Sequence, residues 1–237
     1  MKEKIPELSI FFPFWNEEEN IEEVVTRAVS IANKVAKRWE IIIVDDGSKD
    51  DTYKIAQNLE KNEDKIRVIR HTPNRGYGAA LKTGLEHARY EYVVFTDGDL
   101  QFDFSEVTKF IDKIGSSDLV IGYRMKRSDS PMRHILMILH RIWVFMFFRF
   151  YVKDIDCGFK MFRRRSIQEI MPLRSEGAMI TTEILAKAHA KKLKIAQVGV
   201  NHYPRKFGTA SGANFAVILR AMLETFILYY DIKNKRF

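Results

Sequence analysis

The chain has 237 residues, of which 46% are hydrophobic and 30% charged, a balance that excludes a disordered chain and suits a sizeable core. A single cysteine, Cys157, excludes a disulfide framework and fits a reducing compartment. The net charge of +8 favours phosphate-bearing partners, whether nucleotide, nucleic acid or anionic membrane, without choosing among them.

The N-terminus is charged, and "LSIFFPF" is too short to read as a signal peptide. "LSIFF" predicts a first strand, followed by a loop "PFWNEEEN" and a helical pattern through Val35. "WEIIIVDDGS" predicts a strand ending in acids and a turn, and "DDTYKIAQNLEKN" a helix with Asp50 or Asp51 as N-cap. "KIRVIRH" is the third strand. A Gly-rich loop, "TPNRGYGAA", then opens a helix to about Ala88, and "YEYVVFTDGD" is the fourth strand. Short apolar strands alternating with helices predict one α/β domain over residues 1–237, with a mostly parallel central sheet flanked by helices. In such sheets ligands bind beyond the carboxyl ends of the strands. Here those ends carry Asn16 and Glu17, Asp45 and Asp46, the segment His71 to Gly78, and Asp97 with Asp99.

Asp97-Gly98-Asp99 reads as a tight turn, a calcium loop or a divalent-metal site. The calcium loop fails because its sixth position would be Phe102 rather than Gly and its twelfth Thr108 rather than Glu. Magnesium or manganese takes one or two carboxylates plus substrate phosphates, and Asp97, Asp99 and the Gln101 amide oxygen share one side of an extended segment. Of Asp45 and Asp46, one suits a ribose or base edge, as an acid does in dinucleotide folds. "VDDGSK" is not G-x-G-x-x-G, which argues against NAD, and a Walker A pattern is absent. Gly76 permits close backbone approach at a helix N-terminus, where anions are favoured.

Further along, "HILMILHRIWVFMFFRFYV" (134–152) and "NFAVILRAMLETFILYY" (214–230) are greasy but interrupted by charges, so neither predicts a transmembrane helix. On a helix after Pro131, Arg133, His134, His140, Arg141 and Arg149 fall within half the circumference. Ile135, Leu136, Leu139, Ile142, Trp143, Met146 and Phe150 fall on the other. That design predicts amphipathic membrane-interface helices over about 131–152 and 214–230, the second with Arg220 and Glu224 paired at i,i+4. Arg163-Arg164-Arg165 lacks stacking aromatics on its far side. It reads as a solvated or lipid-facing charge run, so nucleic acid is not expected as a partner. The histidines show no metal-ligand spacing and read as structural, and Cys157 as a small buried residue.

"PFWNEEENI", "IIIVDDGSKDDT", "NRGYGAALKTG" and "FTDGDLQF" together resemble family-2 glycosyltransferases of the GT-A nucleotide-sugar-binding fold. "GYRMKR" and "DIDCGFKMFRR" narrow the resemblance to polyprenol-phosphate (dolichol-phosphate) mannosyl- and glucosyltransferases, over about Ile10 to Gly212. The resemblance implies that Pro13, Asn16 and Glu17 line the nucleotide pocket with Asp45 on the base or ribose. It also implies that Asp97, Asp99 and Gln101 hold Mg²⁺ or Mn²⁺, and that Arg124 and Arg133 meet phosphate charge. Arg205 would sit near the diphosphate in a closing loop that in the family usually reads R-x-x-G-x-S-K. Here Ala210-Ser211-Gly212 stand in its second half and the lysine is missing.

The implied reaction is inverting transfer of a hexose from GDP-mannose or UDP-glucose to a polyprenyl phosphate at the cytoplasmic membrane face. Many relatives continue into transmembrane helices, so a separate transmembrane protein is a further expected partner. A phosphate acceptor, with a second pKa of about 6, needs no general base. An alcohol acceptor does, and Glu183 in "ITTEIL" is then the candidate, the alternative for it being a solvated or positioning carboxylate on a helix. A rival of another class is a non-catalytic nucleotide- or nucleic-acid-binding module.

Overall fold

The computed structural model describes residues 3–125, 131–207, 215–234 and 236, with the side chains of 131–137 and 215–220 outside the described set. Seven strands form one sheet: β1 (Ile5–Phe14), β2 (Ala36–Asp45), β3 (Ile66–Arg70), β4 (Tyr92–Thr96), β5 (Leu119–Arg124), β6 (Phe159–Arg163) and β7 (Ile195–Val200). Their order is β3-β2-β1-β4-β6-β5-β7, and β6 alone runs antiparallel to its neighbours. The predicted mostly parallel α/β architecture is the observed one. Sequence patterning did not reveal the antiparallel insertion of β6 between β4 and β5.

The helices are α1 (Ile21–Val35), α2 (Thr52–Asn62), α3 (Tyr77–His87), α4 (Val107–Ile114), α5 (Pro131–Phe148), α6 (Arg164–Ile170), α7 (Ile180–Ala190) and α8 (Phe215–Lys233). They cover both faces of the sheet, which is why the strands read as continuous apolar runs. Alternate residues of β1 enter opposite cores: Phe12 packs with Phe104 on one side, and Phe11 stacks on Phe95 at 5.1 Å on the other. Helix α1 buries Ile21, Val24, Val25, Ala28 and Ala32, the spacing of one helical face. It passes directly into β2.

Helix α5 stops at Phe148, earlier than the predicted 152, because Arg149 turns into the left-handed region (φ 57°). Phe150, expected on the helix's apolar face, instead lies off the helix and is buried against His189. The predicted basic face is also engaged: Arg141 donates to the Lys153 carbonyl at 3.0 Å, and His140 Nδ1 lies 3.5 Å from Asp156. Trp143 and Phe147 pack edge-on to Phe226 of α8. The solvent side of this pair presents Leu139, Ile142, Met146, Leu223, Phe226 and Ile227, each at least half exposed. Arg220 lies outside the described side chains, while Glu224 accepts a hydrogen bond from Ser175 Oγ at 2.5 Å. Among the described residues no helix is long and apolar enough to cross a membrane.

Arg163, expected to be solvated, donates to the carbonyls of Ile114, Gly115 and Ser117 and so caps the end of α4. Arg165 pairs with Asp118 at 3.0 Å.

Candidate active site

Strands β1 to β5 and β7, apart from β6, point the same way, so their carboxyl ends share one edge of the sheet. That edge gathers Asn16, Glu17, Asp45, Asp46, Asp97, Asp99, Arg124 and, from the segment after β7, Arg205.

The β1 and β2 ends are tied together first. Asn16 sits at φ 53°, takes the Lys49 amide on its Oδ1 at 2.8 Å and donates its own amide to Ser48 Oγ at 2.9 Å. Pro13 is the partner of Val44 in the register that sets these ends side by side. Asp45 is fully buried. Its Oδ1 accepts the Ser48 amide, while Oδ2 lies 3.2 Å from Arg70 Nε without a hydrogen bond. Arg70 itself lies over the Tyr53 ring at 4.0 Å.

Asp46 has a different position. Its Oδ1 meets His71 Nδ1 at 2.6 Å and the Arg75 amide at 2.9 Å, and its Oδ2 takes the Gly76 amide at 2.8 Å. Asp46 therefore folds the 71–76 loop, with His71 held on its other side by Thr83. Gly76 follows suit. Its amide is bound to Asp46, and a Cβ there would come within 2.7 Å of the Glu176 carbonyl oxygen. The amides of Gly78 and Ala79 donate to that same carbonyl. The start of α3, expected to be open to an anion, is thus capped by the chain itself. The glycines serve loop packing there, and the bonded amides of Gly76, Gly78 and Ala79 are no longer free for a phosphate.

The acids of β4 form the centre. Asp97 Oδ1 accepts from the Tyr77 hydroxyl at 2.8 Å. Its other oxygen lies against Gly158, where a Cβ would overlap the carboxylate. Burial, then the neighbouring Asp99 charge, push the Asp97 carboxyl up to about 7, against the pull of Tyr77, Lys160 and Arg124. Burial and Asp97 raise the Tyr77 phenol well above its ordinary value, so it stays a donor. Asp99 accepts the Gln101 amide at 3.1 Å and the Arg205 guanidinium at 2.7 Å. Arg205 also reaches Glu17 Oε1 at 3.1 Å, so one cation bridges the ends of β1 and β4. Burial raises Glu17 above the usual carboxylate range despite its bonds to Asn20 and Arg205. Gln101 donates its side-chain amide to the Tyr203 carbonyl at 3.0 Å, which anchors the segment carrying Arg205.

Below the pair lies a charged frame. Arg124 forms a two-pronged ion pair with Asp154 at 2.8 and 2.9 Å; burial opposes its charge, and Asp154 more than offsets this. Lys160, fully buried, donates to the Ile155 carbonyl at 3.1 Å and to that of Cys157. Burial pushes the Cys157 thiol up to about 12, which removes it as a nucleophile at neutral pH. The side chain of Arg133 and residues 208–214 of the predicted closing loop lie outside the described residues.

Glu183 stands apart from this cluster. Buried at the start of α7, it accepts the Arg174 amide at 2.9 Å, the Ser175 amide at 2.8 Å and the Lys187 ammonium at 2.8 Å. Those bonds make it the positioning carboxylate of the two sequence readings, with its basic oxygens already engaged. Tyr77 and Gly158 touch Asp97 and were not among the residues singled out from sequence. Their signal, a Tyr between two glycines and a Gly ahead of a strand, becomes legible only through β4–β6 pairing.

Among the described residues no group of three or more His, Cys, Asp and Glu side chains is arranged to hold a metal. The acid pair still fits a hard divalent ion in its chemistry. Two neighbouring carboxylates, one driven toward protonation by burial and then by the other's charge, already draw a cationic side chain onto Asp99.

A family model described as "Glycosyl transferase family 2" matches residues 9–171. The dolichyl-phosphate beta-glucosyltransferase of Saccharomyces cerevisiae is 36% identical over 220 residues, covering 82% of this chain and 66% of that relative. The Dictyostelium discoideum protein of the same name is 35% identical, covering 82% and 65%. The dodecaprenyl-phosphate galacturonate synthase of Rhizobium johnstonii is 26% identical, covering 98% and 70%. The chain thus spans about two-thirds of the length of the relatives it matches. A crystal structure of glucosyl-3-phosphoglycerate synthase from Mycobacterium tuberculosis, with Mn²⁺, UDP and its product, has the same fold. Its TM-score is 0.72 at 20% identity, covering 96% of this chain and 80% of that one.

Proposed function

The chain belongs to glycosyl transferase family 2, and on that premise we propose that it transfers glucose from UDP-glucose to a polyprenyl phosphate with inversion at the anomeric carbon. The observation that carries this reading is the convergence of Asp97, Asp99 and Arg205 at the end of β4, with Arg124 close enough to act on Asp97. Glucose is favoured over mannose because the yeast and Dictyostelium relatives are named as glucosyltransferases. The buried Oδ2 of Asp45, ion-paired with Arg70 but accepting no hydrogen bond, supports a base N–H contact there, and the uridine donor follows from the choice of glucose.

Asp97 and Asp99 would hold a divalent metal, which when bound supplies positive charge to a diphosphate leaving group. In the displacement, a phosphate oxygen of the lipid bonds to the anomeric carbon as the bond from that carbon to the diphosphate oxygen breaks. The electron pair goes to the diphosphate. Arg205, bonded to Asp99 and Glu17, would meet that charge as it grows, while Arg124, paired with Asp154, would steady the frame beside Asp97. The acceptor phosphate is already an anion at neutral pH, so no side chain has to take a proton from it. That matches the commitment of Glu183 to the 174–175 backbone, which disfavours an alcohol acceptor.

The exposed apolar residues of α5 and α8 support a second element: a peripheral seat on a membrane surface, where the lipid acceptor resides. Polyprenyl phosphate and polyprenol, supplied in vesicles with labelled UDP-glucose and Mn²⁺, test the proposal together. Label is expected in the phosphate lipid and not in the alcohol. Label in the alcohol, or transfer that persists in EDTA, overturns it.

A further inference from the structure

We propose that Tyr77 is a positioning residue for a metal-binding carboxylate: its hydroxyl fixes Asp97 in one orientation and so sets the affinity of the site for a divalent cation. The inference rests on the reading above that Asp97 and Asp99 hold the metal.

Its ground is the way Asp97 is gripped from two sides, by the start of α3 and by the turn before β6. On one side Tyr77 donates to Oδ1 at 2.8 Å. On the other, Oδ2 is packed against Gly158 so closely that no Cβ fits. A free aspartate turns about its last side-chain bond, and each turn exchanges the oxygen it offers to a ligand. With one oxygen bonded and the other walled in, that freedom is gone before any ion arrives.

Both jaws are themselves held. Tyr77 opens α3 between Gly76 and Gly78, and a Cβ at either glycine would come within 2.7 Å of the 175–177 backbone, so the segment lies flush on that loop. The Gly78 amide is bonded to the Glu176 carbonyl at 2.9 Å, which fixes where the phenol starts. Gly158 precedes Phe159, the register partner of Thr96, and the buried Lys160 Nζ ties down the carbonyls of Ile155 and Cys157 just before it.

The chemistry of the donor also fits. A phenol gives one hydrogen bond without bringing a charge, so it steadies the carboxylate without placing a competing cation on it. Ligating carboxylates elsewhere rely on such outer partners, and removing one weakens metal binding about 10- to 100-fold.

Tyr77→Phe in the whole chain tests this, since it removes one oxygen from a side chain that is 36% exposed. Mn²⁺ binding is read by electron paramagnetic resonance in the presence of saturating UDP, with UDP affinity and melting temperature in EDTA measured alongside. The expected result is an Mn²⁺ dissociation constant raised about 10- to 100-fold. UDP affinity in EDTA and the melting temperature are expected to stay unchanged. In turnover, the Mn²⁺ concentration for half-maximal rate rises by the same factor, while kcat at saturating Mn²⁺ stays within a few-fold. An unchanged Mn²⁺ dissociation constant overturns the inference and leaves the metal reading intact. A wild-type chain that takes up no Mn²⁺ overturns the metal reading and this inference with it.

Discussion

The two sides of the sheet handle their polar groups in opposite ways. On the β1–β4 side, single acids bind backbone amides of neighbouring loops. Asp46 takes those of Arg75 and Gly76, Asp45 that of Ser48, and Asp99 that of Gln101. On the β5–β7 side a whole ion pair is buried, Arg124 with Asp154, as is Glu183 with Lys187 within α7, and the outer helices α5 and α8 leave apolar side chains in solvent. The first arrangement shapes loops around a ligand and leaves some acid charge uncancelled. The second cancels its charges internally and has greasy surface left over. A small polar donor suits the first, and an amphiphilic acceptor suits the second.

Four experiments press on that contrast. Asp99→Ala removes charge from the ligand side and is expected to cut turnover by about 10³-fold or more, measured as label transfer at saturating donor. The same change on the frame side acts through folding. Glu183→Ala leaves Lys187 buried without its counter-charge and should cost roughly 3–5 kcal/mol of stability by denaturant titration. Turnover per folded Glu183→Gln molecule stays within a few-fold, and a collapse there would make Glu183 part of the chemistry after all. Leu139→Glu with Leu223→Glu charges the exposed face of α5 and α8. Binding to anionic vesicles by co-sedimentation should weaken about 100-fold, with little change in melting temperature.

The smallest effect concerns His140 and Asp156. Burial opposes the His140 charge, but Asp156 more than offsets it and raises the imidazole above its ordinary 6.5. A raised histidine stabilises the fold fully below about 6.5 and loses that contribution as pH climbs through the folded value. Asp156 is held below its ordinary 3.8: burial opposes this, but His140 prevails, so its share is lost only in acid. Hydrogen exchange in 153–156 should therefore quicken as pH climbs above 6.5 beyond its intrinsic increase, and His140→Ala should abolish that excess. The contact is partly solvated and is worth less than about 1 kcal/mol.

How far the sequence could be read follows the same division. The β1–β4 side was legible because its chemistry is local: an apolar run, then acids, then a turn, all within ten residues, as in "IIIVDDGS" and "YVVFTDGD". Even there, Asp46 and Gly76 resembled ligand residues because a loop brace and a ligand contact use the same side chains. On the other side the partners lie far apart, Arg124 with Asp154 and Arg163 with the end of α4, and no periodicity announces such pairs. Phe150 reads as a membrane-facing residue when helical spacing is carried two positions past the helix end at Phe148.

Strand β6 carries a consequence for assembly in time. Asp97 meets Gly158 only because residues 96 and 159 are register partners, the strand having crossed back through the middle of the sheet. Pairings this remote in sequence are slow to form, since the chain between them must be closed first. A slip by one residue would move Phe159 from one core to the opposite one and put a side chain where the carboxylate lies. A chain folded as far as β4 already has both acids, yet the niche around Asp97 is still missing. During synthesis, tight metal uptake would thus mark the moment the central sheet closes, well after the acids themselves have left the ribosome.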